Sequence, residues 1–478
     1  MSAYSIDLQS QATFNDINEK FETAVAEKGH LLETRKEADH FWEYLKQCES
    51  YLIGGKLKEL DYTHDMENIL ALYHLNDLID KGHLTPHLRT SFGLPASEVT
   101  EEMFDEQWNL AGWVAGDGTI YAISKYCQLD YKWTLVLAYY YYYKAYPEKK
   151  HPFVSPAQPL LNTPVDLIPP SATIAIIGDW GTGKWEDGHS AKCPAELVIE
   201  GVLSLQPDYI IHLGDVYYAG TEDEEKTNFL GMLAESYPGK VYTMNSNHEM
   251  YDGANGLMGT TLTDPRFAHQ GGSTYFSLEI GDWILVGLDS AYYDNSDLYM
   301  EGSLMNTQGG QEQLDLLKKA YNTNKQLLVL THHNGIEITK HGSKLNQTLW
   351  NQVAKTLTPH LPDAWYWGHV HNAVIYNDDI SVYGGKTAKN GNKPRMRCCG
   401  HASIPNGNGS YLERLSSGSN PDVEFYSKTD MQNPTTEVQK LRVLNGFALI
   451  EINGSDFSES FYEVSNEYSG PKKVWYSN

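Results

Sequence analysis

Asp179, Asp215, Tyr218, Asn247, His332, His369 and His371 are oxygen and imidazole donors. They stand just past apolar runs of the chain. Such a set without a thiolate suits iron, manganese or zinc. The runs are Thr173–Ile177 before Gly178-Asp179, Ile210–Leu213 before Gly214-Asp215 and Lys240–Met244 before Asn247-His248-Glu249. Gln326–Leu330 delivers Thr331-His332-His333, and Ala364–Trp367 delivers Gly368-His369-Val370-His371. Buried strands of parallel sheets place functional side chains past their C-terminal ends. Each piece alone has a plainer explanation. Gly-Asp can cap a helix or turn the chain, Asn-His-Glu can start a helix, and His-Val-His can be two packed rings. Five strand ends in this order are not plausibly five accidents.

The elements that must position these residues alternate strand and helix from about residue 171 onward, the mark of an α/β domain. Ala195–Leu205 and Gln311–Tyr321 read as helices, and Thr274–Leu278 and Trp283–Leu288 as a hairpin turning at Gly281-Asp282. Val423–Tyr426 and Gly446–Ile452 read as strands of a further sheet. Residues 1–150 read as a helical domain. Phe14, Ile17, Phe21 and Val25 recur at helical spacing behind Thr13, as do Phe41, Leu45, Cys48 and Leu52. A third helix follows Asp65, and a fourth runs from about Thr119 to Tyr146 through five successive tyrosines, Tyr139–Tyr143. That run packs inward on one face more readily than it stacks a ligand. His64, His74, His83 and His87 share no metal spacing, so this third of the chain carries no catalytic constellation. Six prolines between residues 151 and 170 forbid regular helix and mark an extended connector. The expected domains are therefore 1–150, the connector 151–170 and a catalytic domain over 171–478.

Acidic residues outnumber basic ones by 62 to 36, for a formal charge of -26, which excludes a general nucleic-acid or anionic-membrane binder. An anionic substrate then needs a local positive feature, which bound metal ions supply. Cys48, Cys127, Cys193, Cys398 and Cys399 form neither a disulfide framework nor a CxxC zinc site. The first residues lack the basic and apolar regions of a secretory signal, and Trp133–Tyr143 is too short and polar to span a membrane. The expectation is a cytoplasmic protein, with export by a route that needs no signal peptide left open.

The motif order resembles the metallophosphoesterase (calcineurin-like phosphoesterase) superfamily, and within it the purple acid phosphatase branch. The branch motifs GDxG, GDxxY, GNH(D/E), VxxH and GHxH stand here as Gly178–Gly181, Gly214–Tyr218, Ser246–Glu249, Val329–His332 and Gly368–His371. Most of the superfamily has a histidine ligand where Gly181 stands, and the purple branch uses a tyrosine at the place of Tyr218. The resemblance implies two mixed β-sheets sandwiched between helices, here preceded by the helical N-terminal domain. It implies one metal held by Asp179, Tyr218 and His371, a second held by Asn247, His332 and His369, and Asp215 bridging them. A tyrosinate donor favours Fe(III), and the second ion would be divalent, Zn, Mn or Fe. His248 would stabilise the transition state or protonate the leaving oxygen, Glu249 would orient it, and His333 would contact substrate or support a ligand. Ser246 departs from the usual glycine. The arginine that marks protein serine/threonine phosphatases is missing after the second motif, and His212, inside its strand, reads as core. Lys184, His189, Arg266 and His341 are further possible phosphate contacts.

The implied function is hydrolysis of phosphate monoesters by a metal-bound hydroxide. Two alternatives stay open: a phosphodiesterase acting on nucleotides or lipid head groups, and a partner-binding or targeting protein with a silent phosphoesterase domain. The implied partner is a phosphorylated substrate, with a protein partner of residues 1–150 also possible.

Overall fold

The computed structural model describes residues 147–477 except 158, 186–191, 340–341, 379–380, 405–421, 428–442 and 466–467. Before residue 147 it describes only 113–114, 120–121, 139–140 and 143–144. The chain divides into two compact units, one of residues 1–150 with 187–189 and 251–253, the other of the remainder.

In the first unit, the three helices expected before residue 82 lie outside the described residues. Tyr139–Tyr140 and Tyr143–Lys144 are helical. The fourth expected helix starts too early: Ile120–Tyr121 is a strand, paired antiparallel with Trp113–Val114. Gly116-Asp117-Gly118 between two aromatic and β-branched pairs is hairpin chemistry, and it outweighs the helical spacing read from Thr119.

The second unit opens with the proline-rich stretch, whose one regular turn among the described residues is a 3₁₀ turn at Val165–Leu167. Phe153 lies flat on Tyr275, ring centroids 5.5 Å apart, which ties this stretch to the body of the unit. Then come β1 (Ser171–Ile177), α1 (Pro194–Ser204), β2 (Tyr209–His212), β3 (Lys240–Thr243) and the single-turn α2 (Asn247–Tyr251). After these come β4 (Phe276–Ile280), β5 (Trp283–Leu288), α3 (Gln311–Tyr321), β6 (Gln326–Thr331) and α4 (Leu349–Thr356). The last elements are β7 (Ala364–Trp367), β8 (Ala373–Tyr376), β9 (Arg395–Cys399), β10 (Val423–Tyr426), β11 (Gly446–Asn453), β12 (Asp456–Glu463) and β13 (Lys472–Ser477).

Two mixed sheets result. One has seven strands in the order β10-β8-β9-β7-β6-β5-β4, the other six in the order β13-β12-β11-β1-β2-β3. β5, β6, β7 and β9 run parallel, as do β1, β2 and β3, with antiparallel strands at the margins. Side chains alternate across each strand. Leu328, Leu330 and Tyr366 meet Ile174, Ile176, Ile211 and Ile450 between the sheets. Leu327, Val329, Trp365 and Trp367 face the other way, onto Leu316 and Leu317 of α3 and Trp350 and Val353 of α4. A buried ion pair also joins the sheets: Arg397 of β9 donates to Glu459 of β12, with Nη2–Oε1 2.8 Å and Nε–Oε2 3.1 Å. The Tyr366 hydroxyl donates to the same carboxylate. Parallel strands leave their C-terminal ends on one edge, and every residue picked out as a metal donor lies there.

Candidate metal centre

Asp179 and Asp215 follow β1 and β2, and both are essentially without solvent exposure. Their oxygens divide the neighbourhood. Asp179 Oδ2 accepts from the His369 backbone N–H at 2.9 Å, while Oδ1 stands 3.5 Å from His371 Nε2. Asp215 Oδ1 is 3.2 Å from His332 Nε2, and its Oδ2 is 2.8 Å from the Tyr217 hydroxyl. Asp215 thus faces two donor groups at once. On its far side Asn247 Oδ1 lies 2.9 Å from His332 Nε2 and 3.2 Å from His369 Nδ1. His332 donates its Nδ1–H to the Leu213 carbonyl at 2.9 Å, which fixes the tautomer and aims Nε2 inward.

The backbone is bent to achieve this. Asp179, Asp215 and His369 have φ of 59°, 76° and 64°, the left-handed region that costs about 1–3 kcal/mol per residue and clusters at functional sites. Gly368 is required for close approach, since a Cβ there would lie 2.6 Å from Asp179 Oδ2.

Charge tells the same story. Burial, then the charge of Asp215, pushes the Asp179 carboxyl well above the usual range. Burial would raise Asp215 too, but His332 and His248 hold it well below. Burial drives His332 down to about 3 and His369 well below its ordinary value, against the opposing pull of Asp215. Asp179 Oδ1 and Asp215 Oδ1 are buried with no hydrogen-bond partner. Buried carboxylate oxygens in this condition call for a cation. Two neutral imidazoles, an amide oxygen and a shared carboxylate suit a divalent ion; carboxylates, a phenol and an imidazole suit a harder one. Asp179, Asp215 and His332 present ligand atoms within 4.8 Å of one another, as do His332, His333 and His369.

The loop after Asp215 leaves no N–H unaccounted for, as buried backbone requires. Asp215 and Val216 donate to the Glu249 carboxylate at 3.3 and 3.1 Å. Tyr217 donates to the Gly181 carbonyl at 3.0 Å. Tyr218, Ala219 and Thr221 donate to Glu224 at 2.6, 3.0 and 3.1 Å, and Gly220 to the Val216 carbonyl at 2.9 Å. Asn228 caps the Tyr217 carbonyl at 2.7 Å.

The contacts of four residues singled out from the sequence can be read here. The hydroxyl that reaches Asp215 and His371, 2.8 Å from each, belongs to Tyr217; Tyr218 is gripped through its main chain, its N–H by Glu224 and its C=O by His248 Nδ1 at 2.5 Å. Glu249, expected to orient His248, anchors the Asp215 loop and accepts from the Ser246 hydroxyl, while burial and then the charge of Asp215 push it up to about 8. His333 is buried with both ring nitrogens engaged, Nδ1 accepting from the Ser290 hydroxyl at 2.8 Å and Nε2 donating to the Tyr299 carbonyl at 2.7 Å. It braces the turn after β5. Arg266 is taken up by Asp264 and the carbonyls of Leu230 and Leu233. Lys184 is exposed in the turn that follows β1, while His189 and His341 lie outside the described residues.

His248, at the start of α2, keeps its expected place beside the centre. Its backbone N–H donates to Ser246 Oγ at 2.9 Å, and its ring tilts against Tyr217 with centroids 4.1 Å apart. His212 is core: Nδ1 meets Thr243 Oγ1 at 3.0 Å and the ring stacks on Phe229. Two further supports, Ser290 and Glu224, carried no sequence signal beyond being polar near a strand end or a capping position.

The calcineurin-like phosphoesterase family model matches residues 172–373. No curated protein matches the chain. Among solved structures, similar folds include a purple acid phosphatase from yellow lupin seeds, 14% identical over 64% of this chain and 54% of that one, TM-score 0.37. This chain thus spans about half of the lupin protein's length. A dimetal phosphatase from Danio rerio is 13% identical over 64% of this chain and 99% of that one, TM-score 0.38. GAP50, described as the anchor in the inner membrane complex of Plasmodium, is 12% identical over 64% and 90%, TM-score 0.41.

Proposed function

We propose that the protein is a binuclear-metal phosphatase acting on phosphate monoesters, because residues 172–373 match the calcineurin-like phosphoesterase family model. The observation that carries the reading is the pair of buried carboxylate oxygens, Asp179 Oδ1 and Asp215 Oδ1, that no protein donor satisfies. Asp179, His371 and a tyrosine would hold one ion, an Fe(III) by its hard donors. Asn247, His332 and His369 would hold a divalent one, with Asp215 between them. Bound metals supply Lewis acidity toward the phosphoryl oxygens and a water acidified to a pKa of about 7.

The chain's own residues do the rest. The neutral imidazoles and the amide of Asn247 leave a positive excess facing the substrate once two cations are held, which draws an anionic ester to a chain of formal charge -26. His248 donates through Nδ1 to the Tyr218 carbonyl. Proton exchange with the leaving oxygen would therefore run through its Nε2. Burial holds His248 below its ordinary value, and an anionic ester beside it favours the protonated, donating form. The presence of every donor in the set argues against a silent domain.

Reconstitution with iron plus zinc or manganese, followed by parallel assays on a chromogenic monoester and diester, tests the proposal. Hydrolysis favouring the monoester is expected. Preference for the diester would replace the substrate class, and a metal-loaded protein inert toward both would remove the enzymatic reading.

A further inference from the structure

We propose that Met300 is a specificity-determining residue of this centre, selecting phosphate esters whose leaving group is apolar and carries no second negative charge; the inference rests on the phosphatase reading above. Asn247 makes the connection. Its Oδ1 faces His332 Nε2 and His369 Nδ1, where the divalent ion would sit, and its Nδ2 meets Met300 Sδ at 3.7 Å. A single amide group therefore separates the thioether from the metal position. Met300 is 41% exposed. The other large hydrophobic side chains exposed among the described residues are Val165, Leu167 and Tyr476, on the proline-rich stretch and β13. Ligand sites pair an apolar wall with a few convergent polar groups, and Met300 supplies such a wall beside the donors.

The loop is built to hold that side chain at the rim. Leu298 and Tyr299, the two residues before it, both have φ of 52°, the left-handed region that residues with a side chain seldom adopt. The main chain around them is pinned. The Tyr299 carbonyl accepts from His333 Nε2 at 2.7 Å, and Asp294 Oδ2 accepts from the Glu301 and Gly302 N–H groups at 3.1 and 2.7 Å. The Ser303 N–H donates to the Ser290 carbonyl at 2.7 Å. With the backbone fixed, the flexible, polarizable thioether is what adapts, and it suits alkyl and aryl groups alike. Charge narrows the class further. Asp297 and Glu301 stand on the same loop, both exposed, so a leaving group with a second phosphate or a carboxylate meets like charge there. An uncharged alkyl or aryl group does not.

The test compares hexyl phosphate with glycerol 1-phosphate, two esters of primary alcohols that differ in polarity, on the metal-loaded full chain. Wild type should favour hexyl phosphate. Met300→Ala should lower the ratio of kcat/KM for the two esters by about 10-fold, through KM, with metal content unchanged, and Met300→Leu should restore it. Calorimetric binding of hexylphosphonate and methylphosphonate, which are not hydrolysed, should show the same fall in their affinity ratio. A ratio unchanged in Met300→Ala would overturn the assignment, as would a wild type that favours glycerol 1-phosphate; both leave the phosphatase reading standing. A wild type that hydrolyses neither ester removes the phosphatase reading, while the phosphonate pair still decides whether Met300 selects the ligand. If Met300→Ala disturbs the loop, Met300→Gln, similar in length but polar, should show the same selective loss, and a ratio kept in that variant would refute the assignment.

Discussion

His248 is the side chain whose removal separates chemistry from metal binding. It donates to the Tyr218 carbonyl and lies against the Tyr217 ring, outside the donor set around Asp215. His248→Ala should lower turnover by about 10²–10⁴-fold, the usual worth of a positioned proton donor, with both metals retained by elemental analysis. Metal loss on that substitution would move His248 into the ligand set. His333 offers the opposite case: with its nitrogens committed to Ser290 and Tyr299, His333→Ala should cost stability without a change in KM. The candidate donors were legible in the sequence because metal donors cannot be exchanged without changing the chemistry. The supports were not, since a carboxylate that accepts backbone N–H groups can sit anywhere the fold brings it near. Glu249, adjacent to His248 in sequence, accepts in this way from the Asp215 loop.

At the scale of elements, the loop from Asp215 to Thr221 is the device that turns a strand end into a site. Glu224 accepts from three of its N–H groups, at Tyr218, Ala219 and Thr221. Glu224→Ala should therefore lower metal affinity as well as stability, the latter by about 1–3 kcal/mol for each N–H left buried and unpaired. Calorimetric metal titration alongside thermal unfolding checks this. Unchanged metal affinity would show that the loop is held elsewhere. The strands that deliver ligands were legible as apolar runs ending in Gly-Asp or His, and α3 (Gln311–Tyr321) stands where its amphipathic spacing puts it. The strands β8, β9, β12 and β13 were not. Arg395–Cys399 alternates charge and sulfur, and Asp456–Glu463 carries an acid or hydroxyl at most second positions. Neither resembles an apolar run, and the buried charges Arg397 and Glu459 meet each other only across the completed sandwich.

Arg397 and Glu459 show what the completed sandwich demands at the scale of the whole unit. The pair is buried between sheets that come from distant parts of the chain, with Tyr366 on the same carboxylate. Glu459→Ala leaves the buried guanidinium only the Asp378 carboxylate, 3.8 Å away, and a loss of about 3–5 kcal/mol is expected, seen as a lower Tm. A shift of less than a degree would mean that the pair is incidental to joining the sheets. Metal should matter on the same scale, since ions that bind only the folded state stabilise it by mass action. Chelation should lower Tm by several degrees, and re-addition should restore it. The decisive measurement for the proposed dimetal phosphatase is the metal-to-chain stoichiometry of the purified protein, taken with phosphoester hydrolysis before chelation, after it, and after metal is returned. Two ions per chain are expected, with activity lost on chelation and regained only as the second equivalent returns; a chain that binds no metal, or hydrolyses equally well without it, would contradict a dimetal centre.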